Sequence, residues 1–253
     1  MCRLLGSVSR SPVTVDDVLG ADRGAFLDLA RIHGDGWGHA WTSGSAVEVR
    51  KDPGSALESA ELAALTAGEA AEAALTHLRW ATLNLGVRPE NTHPFTDGTL
   101  AFAHNGSIVP PHGIDELIAP GLAARREGDT DSERFFLALL SRMEGRDVGA
   151  ALRQTVEDVV ASGAEVRSLN CMLLTPQTLY AVCCYNALSD EDPDYYPLLY
   201  RQAGDTVVVA STGWTDSAGW TVLDNGQMLT VDRTSLKTTL TPVSTPEHVA
   251  VRR

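Results

Sequence analysis

Apolar and polar positions in the first third of the chain alternate with the period of strands more often than of helices. The run CRLLGSV at 2–8 predicts a strand, and WGHAW and AVEVR on either side of the turn TSGS predict a hairpin. The stretch Ser55–Gly68 has apolar residues at helical spacing, and AALTHLRWAT at 73–82 predicts another strand. Glycine, proline and asparagine at 83–94 indicate an irregular loop, which we interpret as a lid.

The rest of the chain continues with a strand, two helices and more strands. TLAFAHNG at 99–106 predicts a strand that runs into a turn, and GDTDSERFFLALLSRM predicts a helix with Thr130 and Glu133 in a capping box. A second helix follows from Val148 and stops at Ser162-Gly163. The strands after it, from SLNCMLLT to LKTTL, indicate an antiparallel meander. We therefore expect an α+β fold with layered antiparallel sheets.

Nothing in the chain marks an internal boundary. It has no repeat, low-complexity tract or linker, and with 253 residues and 43% hydrophobic residues it can bury one sizeable core. We predict a single domain over residues 1–253. The residues from about 241 onward offer little to bury, and we expect them to form a loosely attached tail.

Charge and cysteine content exclude several classes of protein. The 20 basic and 33 acidic residues give a formal net charge of −13, which repels phosphate backbones and anionic membranes, so we expect no nucleic-acid or membrane partner. No apolar run has the length of a signal peptide or a membrane span, and we predict a cytoplasmic protein. Cys171, Cys183 and Cys184 fit reduced core residues, so neither a metal site nor a cofactor is expected.

Cys2 is the first candidate for catalysis. A small second residue permits removal of Met1, which would place a thiol and a free α-amine on one residue. The amine has a reference pKa of about 7.7–8.0 and the thiol one of about 8.5, so the amine can accept the thiol proton near neutral pH. The competing interpretation is an incidental or buried thiol.

Two further segments place polar groups at predicted strand ends. Arg79 and Thr82 lie where a strand meets the proposed lid, and an arginine there suits bidentate carboxylate binding; a surface ion pair is the alternative. In His104-Asn105-Gly106 the amide and the glycine N–H could stabilise an oxyanion. The alternative there is a simple Asn-Gly turn.

Asp131 lies in an acidic helix start, Asp129-Thr130-Asp131-Ser132-Glu133. It could act in helix capping, in a metal site that no nearby His or Cys pattern supports, or as the partner of a substrate ammonium. In the last case Arg79 and Asp131 would hold the two charges of an amino-acid head group.

Four separated motifs resemble those of the class II glutamine amidotransferases, in the order of that family: MCRLLG at 1–6, LRWATLN at 78–84, AHNGSI at 103–108 and GDTDSE at 128–133. DGWGHA at 35–40 and NTHPF at 91–95 resemble further motifs of the small stand-alone branch of that family. The resemblance covers residues 1–145 by motif and extends weakly beyond them. It implies the four-layer αββα N-terminal-nucleophile hydrolase fold.

The resemblance also implies a role for each matched residue. Cys2 becomes the nucleophile and, through its α-amine, the general acid and base, while Asn105 and Gly106 form the oxyanion hole. The expected binding residues for the substrate head group are Arg79, Thr82, His104 and Asp131. The glucosamine-synthase type has histidine where this chain has Leu83, so we expect different lid contacts.

Three functions fit these implied roles. The preferred one is hydrolysis of the γ-amide of glutamine or of a γ-glutamyl metabolite, because one hydrolase domain accounts for the whole length. The resemblance extends to a stand-alone branch that includes the γ-glutamyl hydrolase of ergothioneine biosynthesis. The alternatives are a glutaminase subunit that passes ammonia to a separate synthase, and a catalytically silent binding protein. A homo-oligomer is compatible with each of them.

Overall fold

Two antiparallel sheets form the centre of the molecule. The computed structural model describes residues 2–81, 85–188, 195–215 and 218–246. The first sheet contains, in spatial order, β11 (Thr221–Leu223), β9 (Leu198–Ala203), β10 (Thr206–Ser211), β1 (Arg3–Val13), β4 (Ala71–Leu78), β2 (Trp37–Ser43) and β3 (Ala46–Asp52). The second contains β13 (Thr238–Pro242), β12 (Gln227–Asp232), β8 (Thr178–Cys183), β7 (Glu165–Leu174), β6 (Ala101–Val109) and β5 (Phe95–Thr96).

Helices cover the outer face of each sheet. The described helices are α1 (Val15–Leu19), α2 (Arg23–Asp28), α3 (Ala60–Gly68), α4 (Pro120–Ala123), α5 (Asp131–Met143) and α6 (Val148–Ala161). Short 3₁₀ turns occupy Gly20–Asp22, Leu29–Arg31, Pro89–Asn91 and Pro111–Leu117. None of the helices in the described ranges is both long enough and apolar enough to cross a membrane.

Three apolar layers hold the sheets and helices together. Side chains such as Leu4 and Val8 of β1 meet Met172 and Leu179 between the two sheets. Burying such side chains contributes about 1.5–3 kcal/mol each. The other two layers lie between each sheet and its helices. The predicted four-layer αββα sandwich of antiparallel sheets is therefore confirmed.

Two glycines permit close approach within this sandwich. A Cβ atom on Gly6 would lie 2.8 Å from Leu179 of the opposite sheet. A Cβ atom on Gly38 of β2 would lie 1.9 Å from the carbonyl oxygen of His93, so the segment before β5 runs directly over that strand. These two glycines thus allow neighbouring segments to pack closely around the end of the sheets where the candidate site lies.

The start of α5 differs in part from its predicted capping box. Thr130 accepts the Glu133 N–H at 3.0 Å, as expected. The Glu133 carboxylate, however, accepts the N–H groups of Glu127 and Gly128, both at 2.7 Å, rather than that of Thr130. Glu133 therefore fixes the loop that precedes the helix.

Three other expectations are corrected. Helix α3 begins at Ala60 with Ser59 as its N-cap, so the predicted stretch from 55 is helical only in its second part. The late strands do not form one meander, because β9, β10 and β11 join the first sheet and the others the second. Thr241 and Pro242 belong to β13, and Val243 is buried, so a loose tail would begin later than 241. Residues 247–253 lie outside the described residues.

Candidate active site

Cys2 lies at the start of the central strand of the first sheet. Its side chain is only 8% exposed. The Trp80 N–H donates to the Cys2 Sγ at 3.4 Å, and the Sγ lies 3.6 Å from the Trp80 carbonyl oxygen. Burial raises the pKa of the Cys2 thiol, although the Trp80 N–H and the Arg79 charge oppose that rise. The thiol therefore needs a base close to it before it can act as a nucleophile.

The strand that follows Cys2 is fixed on both sides. β1 pairs with β4 through Arg3 and Leu78, and with β10 from Leu5 onward. The Leu4 N–H also donates to Ser211 Oγ at 3.0 Å. These bonds leave Cys2 at the end of a rigid element, which suits a group that must be held in one geometry.

Arg79 follows β4 and is buried, with 3% of its surface exposed. Its Nη1 donates to the Asp35 carbonyl at 3.0 Å and its Nη2 to the Gly86 carbonyl at 3.3 Å. No described carboxylate forms an ion pair with it, so the surface-pair interpretation is wrong. A guanidinium has five donors, which leaves Arg79 able to bind a carboxylate.

His104, Asn105 and Gly106 lie inside β6, so neither the predicted turn nor the simple Asn-Gly alternative is correct. Asn105 is paired with Asn170 of β7, and a Cβ atom on Gly106 would lie 1.9 Å from the Ser168 carbonyl oxygen. Both polar atoms of the Asn105 amide are buried and lack a hydrogen-bond partner within the described chain. An unpaired buried amide is costly, which favours a ligand as its partner.

His104 faces the start of α5. Its Nε2 lies 3.0 Å from the Ser168 carbonyl oxygen, and its Nδ1 lies 2.9 Å from the Ser132 hydroxyl. Nε2 must donate to the carbonyl, so Nδ1 accepts from Ser132. Burial lowers the pKa of His104, against the opposing charge of Asp131. Protein groups thus occupy both ring nitrogens of this predicted substrate-binding residue, which favours a positioning role.

Asp131 is the first residue of α5 and not its cap, because Thr130 has that role. The Asp131 Oδ2 accepts the Ile108 N–H at 2.7 Å and thereby joins the helix to β6. The carboxylate is 3% exposed, and burial raises its pKa although the His104 charge and the Ile108 N–H oppose the rise. The second carboxylate oxygen leaves room for a cationic ligand.

One cavity collects most of the predicted residues. Its lining comes from the residue before β1, the segment after β4, strand β6 and the start of α5. It consists of Cys2, Arg79, Trp80, Ala81, Leu85, His93, His104, Gly106, Thr130, Asp131 and Ser132. Asn105 is the neighbour of a lining residue but does not line the cavity itself. Thr82 and Leu83 lie outside the described residues. A thiol, a guanidinium and a carboxylate therefore share one enclosed space.

His93 is the lining residue with the strongest chemistry that the sequence did not single out. It belongs to the NTHPF motif, for which the sequence predicts no catalytic or binding residue. Its ring lies 4.4 Å from that of His77, centroid to centroid, and burial lowers the pKa of both rings, that of His77 to about 3. Both are therefore neutral at pH 7.

The described part of the proposed lid is attached to the loop before α5. Asn91 donates through Nδ2 to the Gly86 carbonyl at 3.0 Å, and its Oδ1 accepts the Asp129 N–H at 3.0 Å. Arg88 forms an ion pair with Asp129. These contacts bring the segment that supports Arg79 next to the helix that carries Asp131.

Comparisons with known proteins agree with this geometry. A family model described as glutamine amidotransferases class-II matches residues 1–252. A gamma-glutamyl-hercynylcysteine sulfoxide hydrolase from Mycobacterium tuberculosis is 28% identical over 229 residues, which cover 87% of this chain and 88% of that protein.

Two solved structures share the fold. A glutamine aminotransferase class-II domain protein from Silicibacter pomeroyi aligns with a TM-score of 0.69 and 23% identity, over 96% of this chain and 100% of that one. The glutamine phosphoribosylpyrophosphate amidotransferase of B. subtilis aligns with a TM-score of 0.65 and 20% identity. That alignment covers 96% of this chain and 49% of the amidotransferase, so the chain spans about half of that protein.

Proposed function

The chain belongs to the class II glutamine amidotransferases, and from that premise we propose that it cleaves the γ-amide of a γ-glutamyl compound through a thioester on Cys2. One observation carries the proposal: the Cys2 thiol, the Arg79 guanidinium and the Asp131 carboxylate line the same cavity. A nucleophile beside one cationic and one anionic group matches an amino-acid head with a reactive side-chain carbonyl.

The nucleophile needs its own α-amine. Once Cys2 is the first residue of the working chain, that amine accepts the thiol proton, and the thiolate attacks the γ-carbonyl carbon. The Asn105 amide and the Gly106 N–H are the proposed donors to the tetrahedral oxyanion. Collapse breaks the C–N bond, the α-ammonium protonates the leaving amine, and water then hydrolyses the thioester to release glutamate.

The head group of the substrate is recognised by opposite charges. We assign its α-carboxylate to Arg79, together with Thr82, and its α-ammonium to Asp131. Both protein groups are at least nine-tenths buried, so their charges act in a medium where water screens them weakly. His104 holds the start of α5 and thereby positions Asp131.

We favour a γ-glutamyl metabolite over free glutamine as the substrate. Relatives named as gamma-glutamyl-hercynylcysteine sulfoxide hydrolases align over 87–91% of this chain. The corresponding step of ergothioneine biosynthesis is therefore the first reaction to test. All four cysteines are free thiols, in keeping with the reducing cytoplasm that we propose as its location.

The test is glutamate release from a panel of γ-glutamyl amides, with glutamine included. We expect release by the processed protein and none by Cys2→Ala, because alanine supplies no nucleophile. Preferential turnover of glutamine, stimulated by a synthase, would instead support an ammonia-supplying subunit. Turnover by Cys2→Ala, or a lack of turnover of every compound by protein that mass spectrometry shows to begin at Cys2, would refute the proposed function.

A further inference from the structure

A second cavity, with a volume of about 240 Å³, lies between the end of β3, strand β5 and the start of α5. Phe95, Phe136 and Leu137 form its apolar wall, and each of them is at most 6% exposed. Its charged lining residues are Lys51, Glu90, Arg125, Glu127 and Glu133. No described residue lines both this cavity and the catalytic one. An apolar wall with a few converging charged groups is typical of a small-molecule site.

Lys51 is a partly buried cation with unused hydrogen-bond donors. Its Nζ donates to the Thr92 carbonyl at 2.7 Å and lies 5.2 Å from the centroid of the Phe95 ring. An ammonium has three donors, so two of them remain for a ligand. Burial lowers the pKa of Lys51, although the three glutamates of the cavity oppose that fall. None of those carboxylates lies within ion-pair distance of Lys51. A ligand carboxylate would supply the missing partner.

The other charged groups of the cavity are of both signs. Glu133 is already used, because its carboxylate accepts the N–H groups of Glu127 and Gly128. The side chains of Glu90, Arg125 and Glu127 form no hydrogen bond or ion pair within the described part of the chain. Two carboxylates and a guanidinium thus remain beside Lys51 and the apolar wall. This combination matches a zwitterionic amino acid with an apolar side chain.

The segments around this cavity also support the catalytic cavity. Lys51 holds the carbonyl of Thr92, and the next residue, His93, lines the catalytic cavity. A Cβ atom on Gly128 would lie 2.8 Å from the Glu90 carbonyl oxygen, so the turn with Glu90 packs directly against the loop before α5. A ligand held between Glu90 and that loop would therefore fix two segments on which the substrate head-group site depends.

We propose that this second cavity binds a zwitterionic amino acid with an apolar side chain, and that the bound amino acid strengthens substrate binding in the catalytic cavity. Lys51 and Arg125 hold its carboxylate, Glu90 and Glu127 hold its ammonium, and the apolar wall contacts its side chain. Because the ligand orders segments that the substrate also needs in place, the two ligands bind with positive coupling. The binding itself is independent of the proposed function; only the kinetic effect rests on it.

Isothermal titration calorimetry of the wild-type protein with L-leucine tests the binding. Leucinamide, which lacks the carboxylate, and 4-methylpentanoate, which lacks the ammonium, should each bind about 10-fold more weakly or worse, as expected for the loss of a hydrogen bond between charged groups. Arg125→Gln and Glu127→Gln should weaken leucine binding by a similar factor of about 10. Both side chains are exposed and have no partner in the described chain, so these variants should fold.

Two further variants serve as controls. Arg126→Gln changes the neighbouring arginine, which pairs with Asp115 at 3.6 Å and does not line the cavity, so leucine binding should be unchanged. Asp131→Asn tests the other place where an amino acid could bind, the head-group site of the catalytic cavity. Leucine binding should survive this substitution.

Four results would overturn the binding site. They are the absence of leucine binding at millimolar concentration, equal binding of leucine and its two analogues, equal effects of Arg125→Gln and Arg126→Gln, and binding that only Asp131→Asn abolishes. The last result would place leucine in the catalytic cavity.

The coupling is measured as the effect of leucine on hydrolysis of a γ-glutamyl amide. Leucine should lower the KM of the wild-type enzyme about 5-fold or more, the usual lower range for coupled sites, and should have little effect on Glu127→Gln. An unchanged KM in the presence of bound leucine would overturn the coupling. A protein that binds leucine but releases glutamate from no γ-glutamyl compound would refute the proposed function and leave the binding site in place.

Discussion

At the scale of single residues, the candidate site contains polar groups whose hydrogen bonds are incomplete. The Asn105 amide is buried with neither polar atom paired in the described chain, and Asp131 keeps a buried carboxylate with a raised pKa. Each arrangement costs folding free energy that a hydrophobic residue would not cost. Such costs are common where a protein prepares donors and charges for a ligand.

Asn105→Ala should lower the activity of the protein without lowering its stability. The alanine removes the proposed oxyanion donor, so kcat should fall about 10²- to 10³-fold with a smaller change in KM. It also removes an unpaired buried amide, so the melting temperature should stay the same or rise. Steady-state kinetics and thermal unfolding of the same sample test both points. A change confined to KM would make Asn105 a binding residue.

Asp131→Asn should weaken recognition of the α-ammonium while preserving the bond from the Ile108 N–H. We expect kcat/KM for γ-glutamyl amides to fall about 30-fold or more, the range for truncating one partner of a buried pair. The wild-type enzyme should reject N-acetylated substrates, and the variant should discriminate much less. Wild-type discrimination in the variant would show that Asp131 serves only the fold.

The same substitution has a pH-dependent effect on stability. Because burial raises the pKa of Asp131 above its usual 3.8, its ionised form destabilises the folded state at neutral pH. Asp131→Asn should therefore be more stable than wild type at pH 7, and the difference should shrink as the pH falls toward 4. Urea unfolding at several pH values measures it; a loss of stability at pH 7 would contradict the sign.

At the scale of elements, close contacts between segments decide where the functional groups lie. The segment with His93 crosses β2 at Gly38, and the strand with Asn105 passes β7 at Gly106. Both contacts are to backbone atoms, which cannot move away by changing rotamer as a side chain can. The geometry of the cavity thus depends on two positions without a side chain.

Gly38→Ala should destabilise the protein and lower its activity together. Its Cβ atom would lie 1.9 Å from the His93 carbonyl oxygen, so β2 and the lid segment must separate. We expect a loss of about 1–3 kcal/mol in the free energy of unfolding, as for other overpacked sites. Gly24→Ala in α2 is the control, because no atom lies within 4 Å of its added Cβ, and it should be neutral or slightly stabilising. Equal stability of the two variants would refute the steric argument.

The sequence correctly predicts elements that have strong local periodicity. It does not predict elements whose structure depends on pairing with strands that are distant in the chain. The hairpin of β2 and β3 and the helices α5 and α6 follow from their apolar patterns. Asn105-Gly106 has the local chemistry of a turn, yet pairing with β7 keeps it extended. The distribution of the late strands between two sheets has no local signal. Cys2, Arg79 and Asp131 were predicted from chemistry and motif, whereas His93 required the three-dimensional contact.

At the scale of the whole molecule, buried neutral histidines make the fold sensitive to acid. Burial lowers the pKa of His39 to about 4 and that of His77 to about 3, from an ordinary 6.5. The unfolded chain binds their protons below pH 6.5 while the folded chain does not. Their contribution to stability is therefore complete above pH 6.5 and is lost as the pH falls toward 4 and 3.

Urea unfolding between pH 7.5 and 4.5 should show this loss. Each such histidine contributes about 1.4 kcal/mol per pH unit to the slope within that window. His39→Gln should reduce the slope by about one histidine's share, whereas His112→Gln, at an exposed position, should leave it unchanged. A free energy of unfolding independent of pH would show that these rings titrate in the folded state as they do in the unfolded chain.

The position of β1 has a consequence for the order of assembly during synthesis. One neighbour of this strand, β4, is made early, but the other, β10, spans residues 206–211. Until the ribosome has released that late segment, one edge of β1 is unpaired and the setting of Cys2 is incomplete. The proposed nucleophile is therefore translated first but is among the last residues to reach its final environment. A nascent chain shorter than about 211 residues contains the Cys2 thiol but not the complete sheet around it.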